Sequence, residues 1–278
     1  MCIWAINLMF IEVRIFRMKK VLIIILISCS CVSGMAYTNH KKMIAGETNI
    51  IEISQELLLA AKTKEPTDSL VAIVKSITGA MLTDQLNNDD LKKAFWINIY
   101  NAYTQISLYA NPDKYKNRGS FFGEKQIAIA GKNLSLDDVE HDLLRRSKIK
   151  WSLGYLNKLF PAAFDKQHRV DTLDYRIHFA LNCGAASCPP IAFYKPEQIN
   201  TQLDLATKAY LGGDAVYNQK DNEVSLPAIM GWFRGDFGGK KNMRKLLKNL
   251  KIVPEDNKPK IKFSKYNWDL FLENYKQE

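Results

Sequence analysis

The segment Phe95–Ile106 constrains the fold of this chain more than any other part of the sequence. Its apolar and aromatic residues cover most of the circumference of a helix, which is typical of a helix buried on all sides. Asn98, Asn101 and Gln105 follow helical spacing and form one narrow stripe of amides. A buried amide without a partner costs about 1–3 kcal/mol, so the stripe must be hydrogen-bonded. We therefore predict a central buried helix near 90–110, with the amides bonded either to another buried segment or to a ligand in a cleft.

The rest of the sequence predicts more helix than strand. Apolar residues at helical spacing predict helices near 54–65, 70–77, 136–147, 196–211, 240–250 and 267–275. Alternating or turn-flanked stretches predict strands near 127–130, 175–181, 215–219 and 223–226. Neither an internal repeat nor a linker rich in Ser, Gly or Pro interrupts these patterns. We expect a single mixed α+β domain over 51–278, rich in helix and with a small sheet.

The sequence between Met18 and Ala36 predicts export. Two lysines follow Met18, then comes the apolar run Val21–Ile27, and small residues lead to Ala36. This order is typical of a secretory signal, and the apolar run is shorter than the roughly 20 residues that a membrane-spanning helix needs. Residues 1–17 precede a plausible start at Met18 and are interpreted as an over-extended start. We expect a periplasmic, cell-surface or secreted protein without a transmembrane helix in the mature chain.

Two processing sites remain open in the signal region, which we place at 1–36. Cleavage after Ala36 would leave a polar lead-in over 37–50 before the domain. The residues before Cys29 also resemble a bacterial lipobox, and lipidation of Cys29 would attach the protein to a membrane surface.

The formal net charge is +10, from 39 Lys and Arg against 29 Asp and Glu. The basic surplus is spread along the chain, and an exported protein is not expected to meet nucleic acid. No pattern identifies another partner or a cofactor. His141, His178, Cys183 and Cys188 could form a ligand set, but their spacing matches no metal motif, so we expect no metal.

Four segments resemble one known family. They are Phe95–Ala102, Leu134–His141, Arg176–Pro190, and the pair Trp232-Phe233 with Asp236-Phe237. In this order, over about 91–238, they are similar to the family called domain of unknown function 547. The resemblance implies membership of that family and no established reaction.

Two hypotheses for function follow from the cysteines and their polar neighbours. In the first, Cys183 or Cys188 is a nucleophile, and His178 or His141 is its base. An amide from Asn98 or Asn101 would then orient the imidazole or stabilise an oxyanion, as a hydrolase or acyl transferase requires.

In the second hypothesis, Cys183 and Cys188 form a disulfide in a non-catalytic binding or scaffolding domain. An exported compartment favours this pairing, and a disulfide would hold the loop between the two residues rigid. The residues alone leave open whether the protein is an enzyme.

Overall fold

The central helix forms where the apolar pattern predicts it, over Asp89–Ala110. Its N-cap is Asn88, whose side chain accepts hydrogen bonds from the backbone N–H groups of Asp90 and Leu91. The two aspartates that follow lie in the first turn, where negative charge is favoured by the helix dipole. Trp96 and Ala102 are fully buried on this helix. The prediction of a central buried helix is confirmed.

The computed structural model describes residues 48–276. The predicted signal region, with Cys29, and the lead-in up to residue 47 lie outside the described residues. The α-helices are α1 (Ile50–Thr63), α2 (Asp68–Ser76), α3 (Gly79–Gln85), α4 (Asp89–Ala110), α5 (Arg118–Gly123), α6 (Ala163–His168), α7 (Ile199–Asp214), α8 (Ala228–Trp232) and α9 (Gly239–Asn249). No helix in the described part of the chain is both long and apolar enough to cross a membrane.

The strands form two small sheets. They are β1 (Ile127–Ile129), β2 (Lys132–Leu134), β3 (Val216–Asn218), β4 (Glu223–Leu226) and β5 (Lys260–Phe263). β1 and β2 make an antiparallel hairpin in which Ile127 pairs with Leu134. In the second sheet, β4 lies between β3, which is antiparallel to it, and β5, which is parallel. The domain is thus helix-rich α+β, as the sequence predicts.

The predicted strand at 175–181 is wrong, because Tyr175–Phe179 forms a 3-10 helix. The Asp174 side chain caps this helix by accepting a hydrogen bond from the backbone N–H of Arg176. Ile177 and Phe179 are buried, and so is His178 between them. Alternating polarity therefore did not separate a solvent face from a core face here. His178 can be buried because its imidazole contacts the buried carboxylate of Asp236.

The predicted C-terminal helix near 267–275 is also wrong. This segment is extended and runs beside the loop after the 3-10 helix. The backbone N–H of Ala186 donates to Asp269, and the N–H of Phe271 donates to Gly184. Its backbone groups are satisfied by a distant loop instead of by the next helical turn, which is how tertiary pairing overrides local propensity.

The predicted helix at 136–147 starts as expected and then widens. Ser135 and Asp138 cap it reciprocally, since each side chain accepts the backbone N–H of the other residue. Over Asp138–Leu144 the helix has π-type hydrogen bonding. Such widened turns occur frequently at functional sites, and this one places His141 and Arg145 in direct contact.

Candidate functional site

A cleft of about 410 Å³ opens between the π-helix, the 3-10 helix 175–179 and α8. Most of its lining is aromatic or aliphatic. These residues are Tyr100, Phe122, Trp151, Leu153, Leu181, Pro189, Ile229, Trp232, Phe233, Tyr266 and Trp268. The remaining lining residues are Asp137, Glu140, His141, Lys150, His178 and Cys183. Mostly apolar walls with a few polar groups are typical of a small-molecule site.

A buried ion pair lies directly behind the polar side of this cleft. The Nε atom of Arg145 is 2.6 Å from Oδ2 of Asp236, and a second guanidinium nitrogen is 3.3 Å from Oδ1. Neither side chain is exposed to solvent. Burial alone would raise the pKa of Asp236, but hydrogen bonds from His178 and Arg145 outweigh it and hold this pKa below 3.8. The aspartate is therefore ionised at neutral pH and available to orient its neighbours.

His178 is held by this aspartate. Its Nε2 lies 2.9 Å from Oδ2 of Asp236, and because a carboxylate can only accept, the imidazole donates. The ring stacks on Phe233 with centroids 4.1 Å apart. Burial lowers the pKa of His178 below 6.5, and the attraction of Asp236 compensates only in part. The neutral ring, with its proton on Nε2, has a free electron pair on Nδ1, as a general base requires.

His141 is held by the other member of the ion pair. A guanidinium N–H of Arg145 lies 2.8 Å from Nδ1 of His141. Since arginine only donates, Nδ1 accepts and the ring proton is on Nε2. This nitrogen is buried, without a hydrogen bond to the described residues, and lies 3.5 Å from the Asp137 carboxylate. Both rings thus have the proton on Nε2, which faces Asp137 in His141 and donates to Asp236 in His178.

The carboxylates beside His141 face different partners. Lys150 donates to both oxygens of Asp137. Burial would raise the pKa of Asp137, but the nearby His141 ring and the hydrogen bonds from Lys150 lower it below its ordinary value. Glu140 lies 3.5 Å from the hydroxyl of Tyr100, whose own pKa burial raises well above 10.0. Among residues 48–276, no three His, Cys, Asp or Glu side chains are grouped so that they could hold a metal ion.

Cys183 and Cys188 are paired as a disulfide in the structure, with Cα atoms 6.2 Å apart. This separation lies within the usual range for a bridge. Cys183 lines the cleft, while Cys188 is buried behind it. The Tyr266 hydroxyl lies 3.3 Å and 3.1 Å from the two sulfur atoms. The bridge therefore forms part of the cleft wall, next to an aromatic side chain.

Asn98 and Asn101 do not line the cleft. Asn101 accepts from the backbone N–H of Asn182 and donates to the carbonyl of Ala180. Asn98 makes the same pair of bonds with the backbone of Tyr194. Of the two alternatives for the amide stripe, Asn98 and Asn101 follow the first, because their partners are buried segments of the chain. For Gln105 the prediction of a bonded amide is wrong, since neither amide atom has a hydrogen-bond partner among the described residues.

The loop before α6 packs closely on the Arg145–Asp236 ion pair because residue 154 is a glycine. Its φ is +85°, and a Cβ atom there would lie 2.3 Å from Oδ1 of Asp236. The backbone N–H of Gly235 also donates to the carbonyl of Leu153. Only glycine allows this approach, so the position of the loop and that of the Asp236 carboxylate depend on each other.

The family model described as "Protein of unknown function, DUF547" matches residues 83–211. The chain carries a DUF547 domain. The matched range contains three of the four segments on which the resemblance rests, including His141, His178 and both cysteines of the bridge. The chain has no match among curated proteins and none among solved structures.

Asp236 lies outside the matched DUF547 range, although it holds His178 in place. Sequence reasoning proposed His178, His141 and Cys183, which the structure brings to one cleft. It did not propose Arg145 or Asp236 as site residues. The signal that could have identified Asp236 is the fourth segment of the resemblance, which contains Asp236-Phe237. A lone aspartate shows no spacing that would connect it to a histidine 58 positions earlier.

We expect the DUF547 domain to lose stability as the pH falls below about 6.5. His178 has a lowered pKa in the fold, so the unfolded chain takes up the proton first, and the free energy of unfolding decreases with falling pH. His168, whose pKa burial also lowers, adds to the same slope. Urea denaturation between pH 7.5 and about pH 5 measures this slope. In His178→Gln, which keeps a donor for Asp236, the slope should be shallower, and parallel curves would contradict the prediction.

Proposed function

We propose that the DUF547 domain of this chain is a binding domain for a small amphiphilic molecule, with Cys183 and Cys188 bridged in its working state. The main observation that supports this proposal is the disulfide bridge, because it leaves the cleft wall without a free thiol at Cys183. A stable bridge requires an oxidising compartment, so the proposal includes the export predicted from Met18–Ala36.

The distribution of polarity in the cleft supports an amphiphilic ligand. Trp232, Tyr266 and Trp268 contact one another, and the two tryptophan rings are stacked with centroids 5.4 Å apart. These rings offer a flat apolar surface. The side chains of Glu140 and Lys150 provide an acceptor and a donor at the polar part of the lining. A ligand with an apolar body and an uncharged hydroxyl-bearing end would satisfy both parts.

Calorimetry with octyl glucoside below its micelle concentration tests the binding proposal. We expect saturable binding, and we expect Trp232→Ala to weaken it about fivefold, since an aromatic contact contributes about 1 kcal/mol. Leu205→Ala removes an exposed apolar side chain from α7, away from the cleft, and should leave binding unchanged. Absence of saturable binding, or equal weakening by both variants, would contradict the proposal.

A second candidate is the thiol-dependent hydrolase or acyl transferase. It is favoured by one observation, namely that Cys183 and His178 line the same cleft while Asp236 holds His178. A dithiol reductant would have to open the bridge first. The Cys183 thiol would then transfer its proton to His178, and the thiolate would attack an acyl carbonyl. His178 would return the proton to the leaving group, and water would release the acyl group.

Peptide mapping and an ester assay separate the two candidates. In peptide mapping, the protein is alkylated without prior reduction. If the binding proposal is correct, the peptide that contains Cys183 and Cys188 is unmodified, and its mass is lower than that of the reduced peptide by two hydrogens. Hydrolysis of p-nitrophenyl butyrate that requires dithiothreitol and is lost in Cys183→Ser would establish the second candidate. Cys188→Ser, which keeps the cleft-lining thiol, is the matched control.

A further inference from the structure

The loop 146–160 exposes large apolar side chains to solvent. Leu159 is 86% exposed, Phe160 is 92% exposed and Trp151 is 77% exposed. Leu153, Tyr155 and Leu156 of the same loop are exposed as well. Single exposed apolar residues are ordinary, but a contiguous group of them marks a surface that contacts something other than water.

Backbone hydrogen bonds hold this loop in shape. The N–H of Ile149 donates to the carbonyl of Leu156 at 3.0 Å, and the N–H of Lys158 donates to Ser147 at 2.8 Å. Lys148 and Asn157 form a β-bridge between them. Together with the close packing of Gly154 on Asp236, these bonds present the apolar side chains on a defined scaffold.

All charged residues of the loop are basic. Residues 146–160 contain four basic residues and no Asp or Glu. Lys150 and Lys158 pair with Asp137 and Asp142. Arg146 and Lys148 make no ion pair with the described residues, and their charge is available to an anionic partner. The α9 helix, which has five basic residues and no acidic one, begins beside the loop, since a Cβ at Gly239 would lie 3.6 Å from the Tyr155 hydroxyl.

We propose that the loop 146–160 docks the folded domain on an anionic lipid bilayer. Leu159 and Phe160 would enter the interface, where apolar side chains gain from leaving water, and Trp151 would lie at headgroup level, where tryptophan is enriched. Arg146 and Lys148 would attract anionic headgroups. A second copy of this chain fits less well, because a two-fold contact would bring identical basic loops together. Since Trp151 also lines the cleft, docking would place the cleft mouth at the bilayer surface.

Co-sedimentation of the full chain with vesicles tests this docking. The vesicles contain phosphatidylcholine with or without phosphatidylglycerol. We expect binding that requires the anionic lipid and weakens with salt. Leu159→Ser with Phe160→Ser, neither of which lines the cleft, should lower the partition coefficient about tenfold or more. Arg146→Gln with Lys148→Gln should lower it on anionic vesicles by about tenfold as well.

The matched control is Leu205→Ser with Val216→Ser, which removes two side chains that are 50% and 64% exposed elsewhere on the domain. All variants carry the same N-terminal region, so its own affinity for lipid is equal in each. Circular dichroism on heating verifies that every variant is folded. Equal binding by the loop and control variants would overturn the proposal. So would binding that is indifferent to lipid charge and salt, or self-association that the loop variant abolishes.

Discussion

Replacement of Asp236 by alanine is expected to lower the free energy of unfolding by about 3–5 kcal/mol, because it leaves the Arg145 guanidinium buried without its counter-ion. The side chains of Arg145 and Asp236 are both fully buried, and their closest atoms are 2.6 Å apart. His178 loses its acceptor in the same variant. Urea denaturation at pH 7.5 measures the loss through the transition midpoint.

The control for this variant is Asp204→Ala. Asp204 pairs with Arg176 at 2.8 Å, but its side chain is 70% exposed, so its loss should cost less than about 1 kcal/mol. The double variant Arg145→Met/Asp236→Leu removes both charges and should be more stable than Asp236→Ala. If Asp236→Ala behaved like Asp204→Ala, the buried pair would not have the role that we assign to it.

The second large effect is expected from Asn101→Leu in the central helix. Leucine has a similar shape, but it leaves the carbonyl of Ala180 and the N–H of Asn182 without their partner. Each buried group left unpaired costs about 1–3 kcal/mol, so the free energy of unfolding should fall by at least about 2 kcal/mol. Thermal and urea denaturation both measure this change.

Gln105→Met is the matched control, one turn along the same stripe. Gln105 is fully buried, and neither atom of its amide has a hydrogen-bond partner among the described residues. Methionine replaces an unsatisfied amide by an apolar group of similar length, so this variant should be neutral or more stable. A loss of stability as large as that of Asn101→Leu would show that the hydrogen bonds of Asn101 are not what stabilises the segment.

The two elements that were predicted wrongly, at 175–181 and near 267–275, show why a local pattern does not always predict secondary structure. Residues 175–181 alternate in polarity as a strand does, yet they pair with none of the strands described between residues 48 and 276. Instead, the amide of Asn101 provides the hydrogen bonds that such a strand would have supplied at Ala180 and Asn182. The predicted helix near 267–275 is extended for a related reason, because the loop at 184–191 satisfies its backbone groups.

Four segments in a fixed order predict the DUF547 domain. Local patterns predict the central buried helix, the start of the helix at 136–147 and the strands β3 and β4. Each depends on residues within a few positions of one another, whose interactions exist in any fold that forms the element. The contact between Arg145 and Asp236 depends on tertiary packing, since the two residues are 91 positions apart. Tertiary packing also makes Nδ1 of His141 accept from Arg145 and Nε2 of His178 donate to Asp236. Both outcomes depend on which buried charge each ring contacts, and that contact exists only after distant segments have packed together.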